Sequence, residues 1–167
     1  MLENEFTFLV KNLPENLDAY PKDKIKQGYI SSGLHPLRIR QKGDKYELTK
    51  KSQIAPQDFS RYNETTIYLT QDEFEKLWPL TERFLEKTRY YYPLENGLTA
   101  EIDVYAGALK GLVVVEVEFP DENSRKNFKT PSWFGKDITQ EHWSANSYLA
   151  GKSYGAIEAL INSDDNG

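Results

Sequence analysis

The stretches AEIDVY (100–105) and VVVEVEF (113–119) alternate between apolar and polar residues, and the same period recurs along most of the chain. A period of two fits an extended strand, whose successive side chains leave on opposite faces. Candidate strands lie at roughly 2–10, 26–32, 36–42, 45–52, 61–69, 86–92, 98–106 and 112–119. Gly33, KGDK at 42–45 and LENG at 94–97 separate several of them with turn-forming residues. KGDK is short enough to predict a hairpin, with the third and fourth strands antiparallel.

The charges on these strands come in like pairs two residues apart. Glu3 and Glu5 share a face of the first strand, Arg38 and Arg40 of the third, and Lys87 and Arg89 of the sixth. Glu101 pairs in the same way with Asp103, and Glu116 with Glu118; Lys51 shares a face with Glu47 and Thr49. In the last two strands the opposite face is wholly apolar. An open sheet with one wet face is the ordinary meaning of such alternation. Segregation by sign argues for more. At an effective dielectric of 20, like charges about 7 Å apart repel by roughly 2 kcal/mol, so stability and solubility alone favour mixing the signs.

Converging arginines and lysines suit a polyanion such as phosphate. Converging carboxylates, without histidine or cysteine, suit the hard cations Mg²⁺ or Mn²⁺. Closing the strands into a barrel brings both sets into one lumen and turns the apolar face outward. Five positives (Arg38, Arg40, Lys51, Lys87, Arg89) then meet six negatives (Glu3, Glu5, Glu64, Asp103, Glu116, Glu118). A triphosphate carrying about four to five negative charges needs metal ions to complete that balance.

Helices are fewer. TQDEFEKLWPLTERFLEK (70–87) opens on a capping box, Thr70 with Glu73, and carries Phe74, Leu77, Trp78, Phe84 and Leu85 at helical spacing. Pro79 must kink or restart this helix. A short helix is predicted near ENSRKNF (122–128), and one or two more after Thr139, broken at Gly151. The 167 residues predict one domain over 1–160 and a frayed tail over 161–167. The fold class is β-rich α+β, a closed antiparallel barrel with helices packed outside.

The formal charge of −5 argues against general affinity for nucleic acid or anionic membrane. The absence of cysteine removes disulfides, thiol nucleophiles and thiolate metal sites. No basic-then-apolar leader and no long apolar run is visible, so a cytoplasmic location is expected. Walker A and GxGxxG patterns are missing. His35 and His142 are isolated and read as structural or surface residues, and Trp133 with Phe134 as a loop anchor.

ENEFTFLV, IKQGYI, LRIRQKG, YELTKKS, LEKTRYYY, EIDVYAGALKGLVVVEVEF and PSWFGKDIT, in this order, resemble the CYTH domain of the triphosphate tunnel metalloenzyme superfamily over nearly the whole chain. The short single-domain form looks most like bacterial members that hydrolyse inorganic triphosphate. The resemblance implies an eight-stranded antiparallel tunnel with a metal-dependent triphosphatase activity, two Mg²⁺ or Mn²⁺ ions per site, a triphosphate-containing small molecule as partner, and a monomer or homodimer. It assigns Glu3, Glu5, Glu116 and Glu118 to metal, and Arg38, Arg40, Lys51, Lys87 and Arg89 to phosphate. Tyr29 matches a tyrosine that works beside the signature lysine in some members. Two departures stand out. Thr7 occupies the lysine position of ExExK, leaving Lys50, Tyr29 or a metal-bound water as substitutes, and Thr66 replaces the second acid of the fifth-strand pattern, which keeps Arg61 (with a one-residue shift) and Glu64. A triphosphate-binding sensor with little turnover, a nucleotide cyclase and a thiamine triphosphatase are the alternative activities.

Overall fold

In the computed structural model the strands close on themselves. It describes residues 2–33 and 35–164, and of Leu2, Glu3 and Asp164 the backbone only. The strands are β1 (Leu2–Val10), β2 (Lys22–Tyr29), β3 (Arg38–Lys42), β4 (Lys45–Gln53), β5 (Arg61–Leu69), β6 (Arg83–Pro93), β7 (Thr99–Tyr105), β8 (Val113–Glu118) and β9 (Phe134–Asp137). They run in the order β5-β4-β3-β2-β6-β7-β8-β1, all pairs antiparallel, and β1 pairs back onto β5 to close an eight-stranded barrel. Closure removes the free edges that an open sheet would expose. The β3–β4 hairpin turns at Gly43, whose φ of +59° is a conformation glycine adopts without strain.

β9 was not foreseen. It lies outside the barrel on the edge of β1, pairing Phe8 with Asp137 and Val10 with Phe134 where β5 has diverged. Four residues are too few for a periodic signal.

The helix expected over 70–87 ends early. Only α1 (Gln71–Leu77) forms, closed by the Thr70–Glu73 capping box, and Pro79 falls in a 3₁₀ turn, Trp78–Leu80. Beyond Thr81 the chain is extended, so Phe84 and Leu85 lie on opposite faces of β6, the first half-exposed and the second buried. Proline's missing N–H stops the helix, and alternation takes over after it. The remaining helices are α2 (Glu122–Lys126), α3 (Asn146–Leu149) and α4 (Tyr154–Asp164), with Gly151 at φ +81° between the last two. The tail expected over 161–167 lies outside the described residues from 165 onward, and 161–164 continue α4.

Two apolar cores result. Outside the barrel, Ala100, Ile102, Val115 and Val117 are covered by Phe119, Phe128, Trp133 and Phe134. At one end of the lumen, Leu9, Tyr29, Leu85, Tyr105 and Val114 pack against Ile138, Trp143, Leu149 and Ile157. The C-terminal segment thus fills part of that end as well as lying against the wall. No helix among the described residues is long and apolar enough to cross a membrane.

Candidate active site

A cavity of about 240 Å³ occupies the lumen. Its lining sorts by sign around the barrel. Cations come from neighbouring strands: Arg38, Arg40 and Lys42 on β3, Lys51 on β4, and Lys87 and Arg89 on β6, with β2 between β3 and β6. The other four strands supply acids: Glu101 on β7, Glu116 and Glu118 on β8, Glu5 on β1 and Glu64 on β5. Glu141 adds one acid from the C-terminal segment.

Protein carboxylates hold four of these cations, Arg89, Lys87, Arg40 and Lys51. Arg89 grips Asp103 with two nitrogens, each at 2.7 Å, donates to Glu116 at 2.6 Å, and also bonds Glu101. Lys87 donates to Asp103 at 2.5 Å. Asp103 is completely buried, and although burial pushes its carboxyl up, Arg89 and Lys87 hold it down at about 2. Burial pushes the Lys87 ammonium below its ordinary value despite Asp103. Arg40 is paired with Glu47 through contacts of 2.9 and 2.5 Å, and Lys51 stands 3.5 Å from Glu64. Arg38 donates to Thr49 at 3.2 Å. Tyr29 accepts from Gln27 at 2.9 Å; burial pushes its phenol up, against the pull of Arg38, Lys51 and Arg40.

On the acidic side, strand register sets Glu5 directly across from Glu118, and Thr7 and Glu101 each across from Glu116. Partial burial, then Glu101 and Glu116, push the Glu118 carboxyl up. Carboxylates crowded on adjacent strands are an all-oxygen donor set, which fits Mg²⁺ or Mn²⁺. Among the described residues no three acids or histidines converge closely enough to hold a metal by themselves. The expectation for the Glu3 carboxylate lies outside the described residues; its backbone pairs with Tyr62.

Of the expected site residues, Tyr29, Arg38, Arg40, Lys51, Lys87, Arg89, Glu5, Glu64, Glu116 and Glu118 line this cavity. Three require correction. Lys50 points outward between inward-facing Thr49 and Lys51, is exposed, and donates to the His35 carbonyl at 2.6 Å. Arg61 also points outward and pairs with Glu122 at 2.6 Å. The β4–β5 register is unbroken from Tyr62 to Leu69, so the shift that would turn Arg61 inward is absent and Tyr62 takes the inward position. Asp103 faces the interior, but both oxygens are engaged by Lys87 and Arg89, which makes it a support for those cations.

Lys42 and Glu101 were missed as site residues, though each continues a charged face by the same two-residue step. Glu141 and Asn146 carried no signal, because they lie in a loop and a one-turn helix outside the alternating strands. Thr7 faces the cavity as expected, its N–H bonded to Thr139 Oγ1 at 3.0 Å.

A closed antiparallel barrel whose lumen sets cations against carboxylates is a charged tunnel whose cationic side suits a polyanion. No protein-family model matches the chain. An inorganic triphosphatase from Nitrosomonas europaea is 41% identical over 156 residues, covering 90% of this chain and 97% of that protein. Another, from Acetivibrio thermocellus, is 35% identical over 131 residues, covering 77% and 81%. The crystal structure of an inorganic triphosphatase superposes with a TM-score of 0.66 at 38% identity, covering 89% of this chain and 93% of that one. The chain belongs to the CYTH-type inorganic triphosphatases of the triphosphate tunnel family.

Proposed function

We propose that the protein hydrolyses a triphosphate, inorganic tripolyphosphate above all, within the barrel lumen. The charge balance of the lining carries this reading. Six cations and six carboxylates face the cavity among the described residues, so the lumen alone does not neutralise a triphosphate. Arg38, Arg40, Lys42 and Lys51 offer donors to phosphoryl oxygens from one side, with Lys87 and Arg89 beside them. Glu5, Glu116 and Glu118, with Glu3, are the residues that would hold divalent cations, two per site. When bound, these supply charge neutralisation and polarise the phosphoryl oxygens. Tyr29, whose phenol stays protonated at neutral pH, is a hydrogen-bond donor and not a base.

Thr7 favours a second reading, in which the tunnel retains a triphosphate ligand with little turnover. The hydroxyl has no charge with which to fix an attacking water beside Glu116.

Phosphate release from tripolyphosphate, ATP and thiamine triphosphate, with Mg²⁺ or Mn²⁺, separates the readings. Turnover of tripolyphosphate is expected, with metal affinity falling at least roughly tenfold in Glu5→Ala. Tight binding without turnover, and activity appearing only in Thr7→Lys, would establish the second reading. Failure to bind tripolyphosphate at all would overturn both.

A further inference from the structure

The C-terminal segment presents to the lumen a neutral side chain that no charge pattern marks. Asn146, on α3, lines the cavity. Its Oδ1 accepts from the Tyr105 hydroxyl at 2.6 Å and from Lys87 Nζ at 3.3 Å. An ammonium can only donate. Lys87 therefore decides which arm of the amide carries the oxygen, a choice that side-chain shape leaves open. The NH₂ group occupies the other arm, and among the described residues no protein acceptor meets it.

The groups that orient this amide are themselves fixed. Tyr105 and Lys87 are each 3% exposed, and Lys87 is tied to the fully buried Asp103. A donor held this way loses little freedom when an acceptor arrives. It also repels no metal ion and needs no counter-charge, unlike a further arginine.

We propose that Asn146 is a substrate-binding residue whose Nδ2 donates to a phosphoryl oxygen of the anion lying against Lys87. α3 then completes the cationic half of the lumen with a neutral donor, and docking of the C-terminal segment becomes part of substrate recognition. The inference rests on the reading of the cavity as a triphosphate site.

Three variants test it, with calorimetric titration of tripolyphosphate, steady-state kinetics and melting temperature measured on each. Asn146→Asp keeps acceptors for Lys87 and Tyr105 but loses the donor; Asn146→Ala loses the donor without adding charge. Both are expected to weaken tripolyphosphate binding by about tenfold or more, chiefly in KM, with Asn146→Asp melting no lower than the native protein. Ser144→Asp puts a similar charge on the same stretch of cavity wall and is expected to weaken binding by less than about threefold. Native-like affinity in Asn146→Asp would overturn the proposal, as would an equal loss in Ser144→Asp, which would assign the effect to charge alone. If the native protein itself binds no tripolyphosphate, the triphosphate reading fails and this proposal with it.

Discussion

Asp103 is buried with two cations against it, and its oxygens accept from Lys87 and from Nε and Nη2 of Arg89. The fully desolvated carboxylate is tolerable only because of that pairing. Asp103→Asn strips Lys87 and Arg89 of their shared counter-charge and is expected to cost about 3–5 kcal/mol, measured by urea unfolding at neutral pH. The pH dependence follows from the same contact. The carboxyl is held at about 2 against an ordinary 3.8, so its contribution is complete above about pH 4 and disappears as pH falls toward 2. Stability of the native protein should therefore drop more steeply across that window than stability of Asp103→Asn. Parallel acid limbs in the two proteins would contradict the pairing.

β2 shows how tightly one element can constrain another. Gly28 sits where the 3₁₀ turn Trp78–Leu80 crosses the outside of the barrel. A Cβ built there would lie 2.5 Å from Thr81 Cγ2 and 3.2 Å from Trp78 Cη2. Trp78 is held from its other sides by Phe74, stacked at 5.3 Å, by Phe84 at 5.8 Å and by the Lys26 ammonium at 4.4 Å. Gly28→Ala is expected to destabilise by about 1–3 kcal/mol through overpacking, with tryptophan fluorescence reporting the shift of Trp78. An unchanged melting temperature would mean that the turn is free to lift away. The same turn is where the sequence misled: apolar spacing alone extended the helix through Leu85, whereas Pro79 ends it and β6 begins at Arg83.

The whole barrel is a charged container with a cation-rich half and an acid-rich half. Inside it the two signs meet through Arg40–Glu47, Lys51–Glu64 and the Arg89 cluster. A bound polyanion would compete with those carboxylates for the cations, and a divalent metal would give the displaced acids a new partner. Tripolyphosphate and Mg²⁺ together should therefore raise the melting temperature by more than the sum of their separate effects. At a hundredfold excess over Kd the linkage amounts to about 2.7 kcal/mol. Differential scanning fluorimetry with and without chelator checks this, and simple additivity would argue that the two halves bind independently.

Alternation determined the face of each strand residue, because side-chain direction in an extended chain is a local property with a period of two. It correctly put Arg38, Arg40, Lys51, Lys87, Arg89, Glu5, Glu116 and Glu118 on inward faces, and the same rule explains why Lys50 and Arg61 point outward. The Thr70–Glu73 capping box was equally legible, since its partners are three residues apart. Strand order was not local. Only the order of strands in the sheet made the cation-bearing strands neighbours across β2, and closure through β1–β5 joined β5 to β7, β8 and β1 in an acidic half. Nor could alternation tell that Asp103 serves Lys87, sixteen residues away, or that Asn146 reaches the same lysine from fifty-nine residues away. Those contacts depend on how distant segments pack, and there the tertiary structure alone decided.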